Sequence, residues 1–354
     1  MIIFDYMENF DYENLYFCQD KSVGLKAVIA LHDTTLGPAT GGCRMWTYGR
    51  EEDAIEDALR LARGMTYKYA AAGVNLGGGK AVVIGDPKTQ KSEALFRALG
   101  RFINILNGRY ITGEDVGTTL EDMEYIRMET PYVVTLPEYL GGAGPISPST
   151  AFSTIQALKA AHKHLYGTDA LSGKRVAVQG VGSVGYHVVE LLAKEGADLV
   201  ITDIDMERAK AAASEFKAET VAPDKIYEVD CDIFSPCALG AVINDETIPL
   251  LKCKIVAGCA NNQLKEPRHG DILEQKGIFY VPDYIANAGG TIYDTDRLMY
   301  GQHNRERAAK NVARVYQTME AVIKIAKEQN IPTYLAADRY AERRINEIRK
   351  VKNI

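Results

Sequence analysis

The 354-residue chain lacks any excess of positive charge. Its 41 Lys and Arg face 47 Asp and Glu, a formal charge of −6 with a pI near 5.7. Nothing in that balance favours a nucleic acid or an anionic membrane as partner. Long hydrophobic runs are missing as well. Mean hydropathy is −0.17, and no apolar stretch approaches the roughly 20 residues needed to cross a bilayer. The opening MIIFDYMENFDYENLYFCQD has no basic region followed by an apolar stretch and does not read as a signal peptide. Glu13 to Phe17 resemble a protease-tag sequence, but Cys18 breaks the match, so they are read as native. Paired-cysteine motifs are also absent. Cys18, Cys43, Cys231, Cys237, Cys253 and Cys259 include no CxxC, and no Cys/His spacing suits zinc. No metal is expected, and the thiols read as free in a reducing cytoplasm. What is present, 46% hydrophobic and 25% charged residues, is enough at this length for two domains without disulfide or metal staples.

Residues 25–33 read as a strand rich in branched side chains. Residues 51–66 read as a helix, with Ile55, Ala58, Leu59, Ala62 and Met65 on one face and acidic residues in its first turn. Lys68 falls just beyond it. A short buried strand starts at Lys80, a helix covers 92–106, and a strand begins at Tyr110. Thr119 and Asp122 make a weak capping box. The Gly/Pro-rich loop 141–149 reads as the domain boundary. Beyond it come helix 150–166, strand 175–179, a glycine turn, helix 183–195, strand 198–202 and helix 206–216. Strands at 254–258 and 278–281 follow. This alternation predicts a parallel, doubly wound sheet. A long helical pattern covers 291–328, and a last helix, 335–350, is expected to pack back on the first domain. His162 and His164 read as solvent-facing.

The run VAVQGVGSVGYHVVELL places Gly180, Gly182 and Gly185 in G-x-G-x-x-G spacing after a strand and at the start of a helix. That context suits a dinucleotide. The glycines allow a tight turn, close approach of a pyrophosphate, and helix–strand packing. The free N–H groups and dipole at the helix start, around Ser183 and Val184, suit phosphate. Asp203 ends the second strand about 20 residues on, where a carboxylate holds the adenosine ribose hydroxyls. Asp205 and Glu207 follow, with Arg208 the only nearby cation, so NAD is expected over NADP. A flavin or S-adenosylmethionine turn is the competing reading.

GVNLGGGKAVVIGDP is not a phosphate-binding P-loop, because Val74 replaces a required glycine and Ala81 a required Ser or Thr. A lysine at an apolar strand mouth loses solvation, which lowers its pKa and suits Lys80 to base catalysis. The same spacing serves a surface lysine after a flexible turn. Lys68 and the acid pair Glu114-Asp115 lie in other segments of this domain.

The run GGCRMWTYGREEDAIEDALRLARGMTYKYAAAGVNLGGGKAVVIGDP resembles the Glu/Leu/Phe/Val dehydrogenases. GRYITGEDVGTT, CDIFSPCALGAVINDETIP, ANNQLKEPRHGD and PDYIANAGG carry the same resemblance, which is closest to the leucine-specific branch and next to the phenylalanine-specific one. It implies an α/β fold with an N-terminal substrate domain, 1–148, joined by a C-terminal helix at 331–354. A Rossmann-type NAD-binding domain would cover 149–330. It implies oxidative deamination of an L-amino acid to a 2-oxo acid, ammonia and NADH, in a homo-oligomer of octamer type. Lys68 would hold the substrate carboxylate, Lys80 would polarise a water and the developing carbonyl, and Asp115 would transfer a proton. Gly77 and Gly78 would lie beside the reacting carbon, Thr150 at the nicotinamide amide, and Asn261 and Asn262 at the cofactor–substrate junction.

The resemblance also places Thr40, Gly113, Thr291 and Asp294 around the substrate side chain, where leucine-specific members typically carry Leu, Ala, Val and Val. Gly113 would leave extra room, and a buried Asp294 would need a partner. A polar, basic or larger substrate is therefore expected, with an ordinary leucine-specific enzyme as the alternative. Thr291 and Asp294 are also spaced like a helix-start capping pair. The loop 144–149 departs from the family's usual pattern on the nicotinamide side. A catalytically silent binding protein on the same fold is the reading from another class.

Overall fold

The computed structural model describes residues 3–352. They divide into two compact units. One holds the chain through Gly144, together with Asp294–Asn304 and the stretch from Glu342; the other holds Pro145–Tyr293 and Arg305–Ala341.

The first unit opens with α1 (Ile3–Asn9), β1 (Asn14–Asp20), β2 (Leu25–Asp33), β3 (Ala39–Thr40) and β4 (Cys43–Trp46). It continues with α2 (Glu51–Ala71), β5 (Gly77–Ile84), α3 (Glu93–Ile105), β6 (Tyr110–Ile111) and α4 (Leu120–Arg127). The tag-like residues enter β1, which pairs antiparallel with β2 along its whole length. The sheet runs β1-β2-β5-β3-β6, with β4 also on β5. β2 is buried on both faces. Ile29 and Leu31 pack with Phe96, Leu99, Ile103 and Met123, while Val28 and Ala30 pack with Ala54, Ile55, Ala58 and Leu59 of α2. α2 runs five residues past its predicted end because Tyr69, Ala70 and Ala71 continue the buried face, and Gly64 does not interrupt it. Lys68 therefore stands in its last turn, not beyond it.

The second unit begins with α5 (Ser147–Tyr166), β7 (Arg175–Gln179), α6 (Ser183–Lys194), β8 (Asp198–Thr202), α7 (Met206–Phe216) and β9 (Glu219–Thr220). Then come β10 (Ile233–Pro236), β11 (Ile255–Val256), α8 (Arg268–Gln275) and β12 (Phe279–Tyr280). All neighbours in the order β12-β11-β10-β7-β8-β9 pair in parallel, the doubly wound sheet expected from the alternating pattern. β10, whose four residues are all buried, is a strand the periodicity missed. The single helical region expected at 291–328 is four helices. They are α10 (Ala288–Asp294, after the short α9, Asp283–Ala286), α11 (Asp296–Tyr300), α12 (Arg305–Ala313) and α13 (Val315–Gln329). Gly301 at φ +82° ends α11, and Asp296 accepts the Asn304 N–H at 2.8 Å across the gap. The last helix, α14 (Thr333–Lys352), belongs to the first unit from Glu342 onward, not from 331. There Arg344 donates to the Val74 carbonyl at 2.8 Å, beside the end of α2, and Arg349 to Asp33 at 2.5 Å.

His162 departs from expectation. It is fully buried, with Nδ1 2.7 Å from the Thr168 carbonyl, because it lies on the inner face of α5 with Leu158 and Ala161.

Candidate active site

In the first unit, β5 carries the lysine at the centre of the sheet. Lys80 lies opposite Ala30 of β2, and its side chain is 4% exposed. The burial has a partner: Nζ stands 2.9 Å from Asp115 Oδ2. That carboxylate also accepts from Arg44 Nε at 3.0 Å, and Arg44 Nη1 reaches Asp57 at 2.9 Å. Tyr48 donates to the same Asp57 oxygen at 2.6 Å. Burial alone pushes Asp115 up, but Lys80 and Arg44 outweigh it and hold the carboxyl below its usual range. The loop bearing Asp115 is fixed by its own N–H to Thr118 Oγ1, 3.0 Å, while Thr118 donates to the Cys43 carbonyl at 2.8 Å.

The glycines before Lys80 allow the protein's own backbone to close in. A Cβ on Gly78 would lie 2.0 Å from Thr66 Oγ1 and 2.3 Å from the Ala62 carbonyl of α2. Gly77 and Gly78 pair with Ala39 and Thr40 of β3. Thr40 is fully buried, and its hydroxyl donates to the Pro38 carbonyl at 3.1 Å. Gly113 leaves no extra room, contrary to expectation: a Cβ there would meet Thr135 Oγ1 at 2.6 Å and Val134 at 2.9 Å. Thr135 in turn donates to Asp294 Oδ2 at 2.7 Å. Asp294 closes α10 rather than opening a helix, so it is not a first-turn cap. Burial pushes its carboxyl up to about 6, against the opposing pull of Thr135 and Arg297. It also raises Glu114, whose own burial is the larger cause. Gly113, Glu114, Thr135 and Asp294 thus form one cluster. Thr291 shares α10 with Asp294 but lies in the second unit.

In the second unit, β7 ends at Gln179 and the chain turns at Gly180, φ +98°. Gly185 packs so closely on this turn that a Cβ would sit 2.1 Å from the Gly180 carbonyl, whereas nothing lies within 4 Å of one on Gly182. α6 starts at Ser183 and Val184 with Gly182 as its N-cap and no side-chain cap, so its first N–H groups remain for an anion. Asp203 follows β8 directly. Its carboxylate accepts from Val181 N–H and Asp205 N–H, both at 2.9 Å, which ties it to the glycine turn. Thr150 stands in the first turn of α5, where a Cβ on Gly290 would come within 2.3 Å of its hydroxyl. Asn261 accepts from Asn287 Nδ2 at 2.8 Å, and Asn262 takes the left-handed conformation, φ +51°. The open Gly182, the uncapped helix start and the tethered carboxylate fit a dinucleotide.

The family model described as Glu/Leu/Phe/Val dehydrogenase, dimerisation domain, matches residues 13–132, and that described as Glutamate/Leucine/Phenylalanine/Valine dehydrogenase matches 141–207 and 201–352. The chain belongs to the Glu/Leu/Phe/Val dehydrogenase family. It is 62% identical to a leucine dehydrogenase of Thermoactinomyces intermedius, over 100% of this chain and 96% of that one. A phenylalanine dehydrogenase of Caldalkalibacillus thermarum is 49% identical, over 95% and 91%. The crystal structure of L-tryptophan dehydrogenase from Nostoc punctiforme superposes with a TM-score of 0.85 at 43% identity, covering 98% of this chain and all of that one. This family member is an amino-acid dehydrogenase, an oxidoreductase for which a nicotinamide cofactor is implied.

Several polar residues of these sites escaped sequence reasoning, among them Arg44, Asp57, Thr135 and Asn287. Arg44 and Asp57 lie within the run that carries the family resemblance, and Asn287 lies in PDYIANAGG. Their spacing to Lys80 or Asn261 gives no periodic signal, because sheet pairing and loop closure bring them together. Among the described residues no group of His, Cys, Asp and Glu could hold a metal ion, and no helix is long and apolar enough to cross a membrane.

Proposed function

We propose that this chain is a leucine dehydrogenase, catalysing the reversible NAD-dependent deamination of leucine and related branched-chain L-amino acids to the 2-oxo acid, ammonia and NADH. The observation that carries the reading is the buried Lys80 held on Asp115, in a chain 62% identical to a leucine dehydrogenase. Lys68 binds the substrate carboxylate as a cation. Lys80, kept from bulk water, orients the attacking water and stabilises negative charge on the oxygen that becomes the carbonyl. Asp115, held ionised by two cations, accepts and returns the proton at the substrate nitrogen. The bound nicotinamide supplies the hydride acceptor.

Gly182, Ser183 and Val184 hold the pyrophosphate, and Asp203 the ribose hydroxyls. The choice of NAD rests on charge: Asp203, Asp205 and Glu207 face a 2′-phosphate with repulsion, and Arg208 is engaged by Asp205 at 3.4 Å. The aliphatic substrate is supported by the Thr40 hydroxyl and Asp294 Oδ2, which are taken up by the Pro38 carbonyl and the Thr135 hydroxyl. One atom favours a second reading. Asp294 Oδ1 is buried without a hydrogen-bond partner, which would suit a polar, basic or larger side chain.

The test is kcat/KM for NADH formation from leucine, valine, phenylalanine, tryptophan, lysine and arginine, with NAD and with NADP. Leucine and NAD lead on the first reading. A lead for lysine, arginine or tryptophan selects the second, and no turnover with any amino acid rejects both. We further assign the chain to a cytoplasmic homo-oligomer, of octamer type.

A further inference from the structure

Six thiols are present, all free. The register that pairs Ile233 with Ile255 and Phe234 with Val256 aligns four of them when continued both ways. Cys231 falls beside Cys253 at the amino end of β10 and β11, and Cys237 beside Cys259 at the carboxyl end. The two pairs differ in chemistry. Burial pushes Cys231 up to about 11 and Cys253 up to about 12, which leaves no thiolate nucleophile near neutral pH.

At the carboxyl end the ladder slips. Ala260 N–H reaches the Pro236 carbonyl at 3.0 Å, one residue beyond the regular register. Cys259 is left in a bulge, with Sγ 3.9 Å from the Cys237 carbonyl. Ser235 Oγ lies 3.4 Å from Cys237 Sγ. A hydrogen bond from Cys259 lowers Cys237 below the ordinary thiol range and raises Cys259. Cys237 directly precedes the exposed Ala238, Leu239 and Gly240, which places the thiol one residue from the surface.

We propose that Cys237 and Cys259 form a reversible oxidation site that takes peroxides and closes an intramolecular disulfide at the carboxyl edge of the sheet. Both residues lie just beyond paired strands about 4.8 Å apart, and the contact of Cys259 Sγ with the Cys237 carbonyl brings the two residues together, so a small shift reaches the Cα separation a disulfide spans, about 4.4–6.8 Å. The Cys237 thiolate attacks a peroxide oxygen, breaking the O–O bond, to give a sulfenic acid and, after protonation, water. Cys259 sulfur then attacks the sulfenic sulfur. The S–S bond forms, the S–O bond breaks, and a second water leaves with the Cys259 proton. The two thiols lose two electrons and two protons, and hydrogen peroxide becomes two waters.

The site lies against the glycine turn. A Cβ on Gly185 would lie 3.2 Å from Cys237 Cβ, and one on Gly180 would lie 2.7 Å from Ala238 Cβ. Drawing the two sulfurs to bonding distance, about 2.05 Å, moves the segment that supports the turn. Oxidation therefore weakens dinucleotide binding, a consequence that rests on the cofactor reading above.

The test treats the full-length protein with hydrogen peroxide and maps its peptides by mass without reduction. The expected result is one Cys237–Cys259 link, the loss of two free thiols, and NADH affinity lowered about tenfold or more, with dithiothreitol restoring both. Cys259→Ser abolishes the link and the loss of affinity, while Cys231→Ser keeps both. A link between Cys231 and Cys253 instead, no link at all, or a link that leaves NADH affinity unchanged overturns the proposal. Reduced protein that binds no NADH rejects the cofactor reading instead, and the mass map alone then decides the oxidation site.

Discussion

Lys80 and Asp294 are both buried charged residues, and their surroundings assign them opposite fates. Lys80 sits against a carboxylate that a second cation also holds, so the group of charges is balanced where it is buried. Lys80→Ala should lower kcat at least about a hundredfold while NADH binding, measured by fluorescence titration, stays within a factor of about two. Near-normal turnover would remove Lys80 from the chemistry. Asp294 has only a hydroxyl and a more distant guanidinium, and its carboxyl is raised from 3.8 to about 6. The folded state therefore binds its proton more tightly than the unfolded chain. Its contribution to stability is full below about pH 4, is lost as pH rises to about 6, and stays lost above. Asp294→Asn should stabilise the protein at pH 8 by up to about 3 kcal/mol and by much less at pH 5. Urea denaturation at the two pH values reads this directly, and an equal effect at both would show that Asp294 is not a strained acid. The glycines before Lys80 left it open between a buried base and a surface lysine, and the structure buries it against Asp115. The sequence could not show that Thr135 would fill the space beside Gly113 and bind Asp294, because the two residues meet only through tertiary packing.

Among the elements, those with a clear local signal were legible almost to the residue, Arg175–Gln179 because the glycine turn follows it and Met206–Phe216 because its apolar positions keep the helical period. Those without one were not. β10 is buried on both faces and has no alternation, and in the helical pattern 291–328 the widest break is set by Gly301 and the Asp296–Asn304 contact, which the apolar spacing does not mark. The weak capping box at Thr119 is real: its hydroxyl takes the Asp122 N–H, and Asp122 takes the Thr119 N–H. Thr119→Ala should cost about 1 kcal/mol. Gly78→Ala should cost more, about 3 kcal/mol or above, because the new methyl meets helix backbone that cannot turn aside. Equilibrium denaturation ranks the two, and a milder effect at Gly78 would mean that α2 shifts freely on β5.

For the whole molecule, the match of residues 13–132 to a dimerisation domain suggests assembly, and a net charge of −6 does not oppose it. Native mass measurement should find a homo-oligomer rather than a 39.0 kDa species alone, and the melting temperature should rise with protein concentration. A concentration-independent 39.0 kDa particle would exclude it. Composition carries none of this, since an interface is a pattern of surface and not a residue count.

The last helix gives the chain a particular order of completion. The first unit is assembled from three separated stretches, and its final contacts, Arg344 to Val74 and Arg349 to Asp33, come from the end of the chain. On a ribosome, the strands of the first unit therefore wait for residues made after Ala341, while the uninterrupted stretch Pro145–Tyr293 emerges whole in between. Domains fold as units during synthesis. The second unit should thus become protease-resistant on nascent chains that the first unit has not yet joined, and chains stopped at Ala341 should leave the end of α2 open to cleavage.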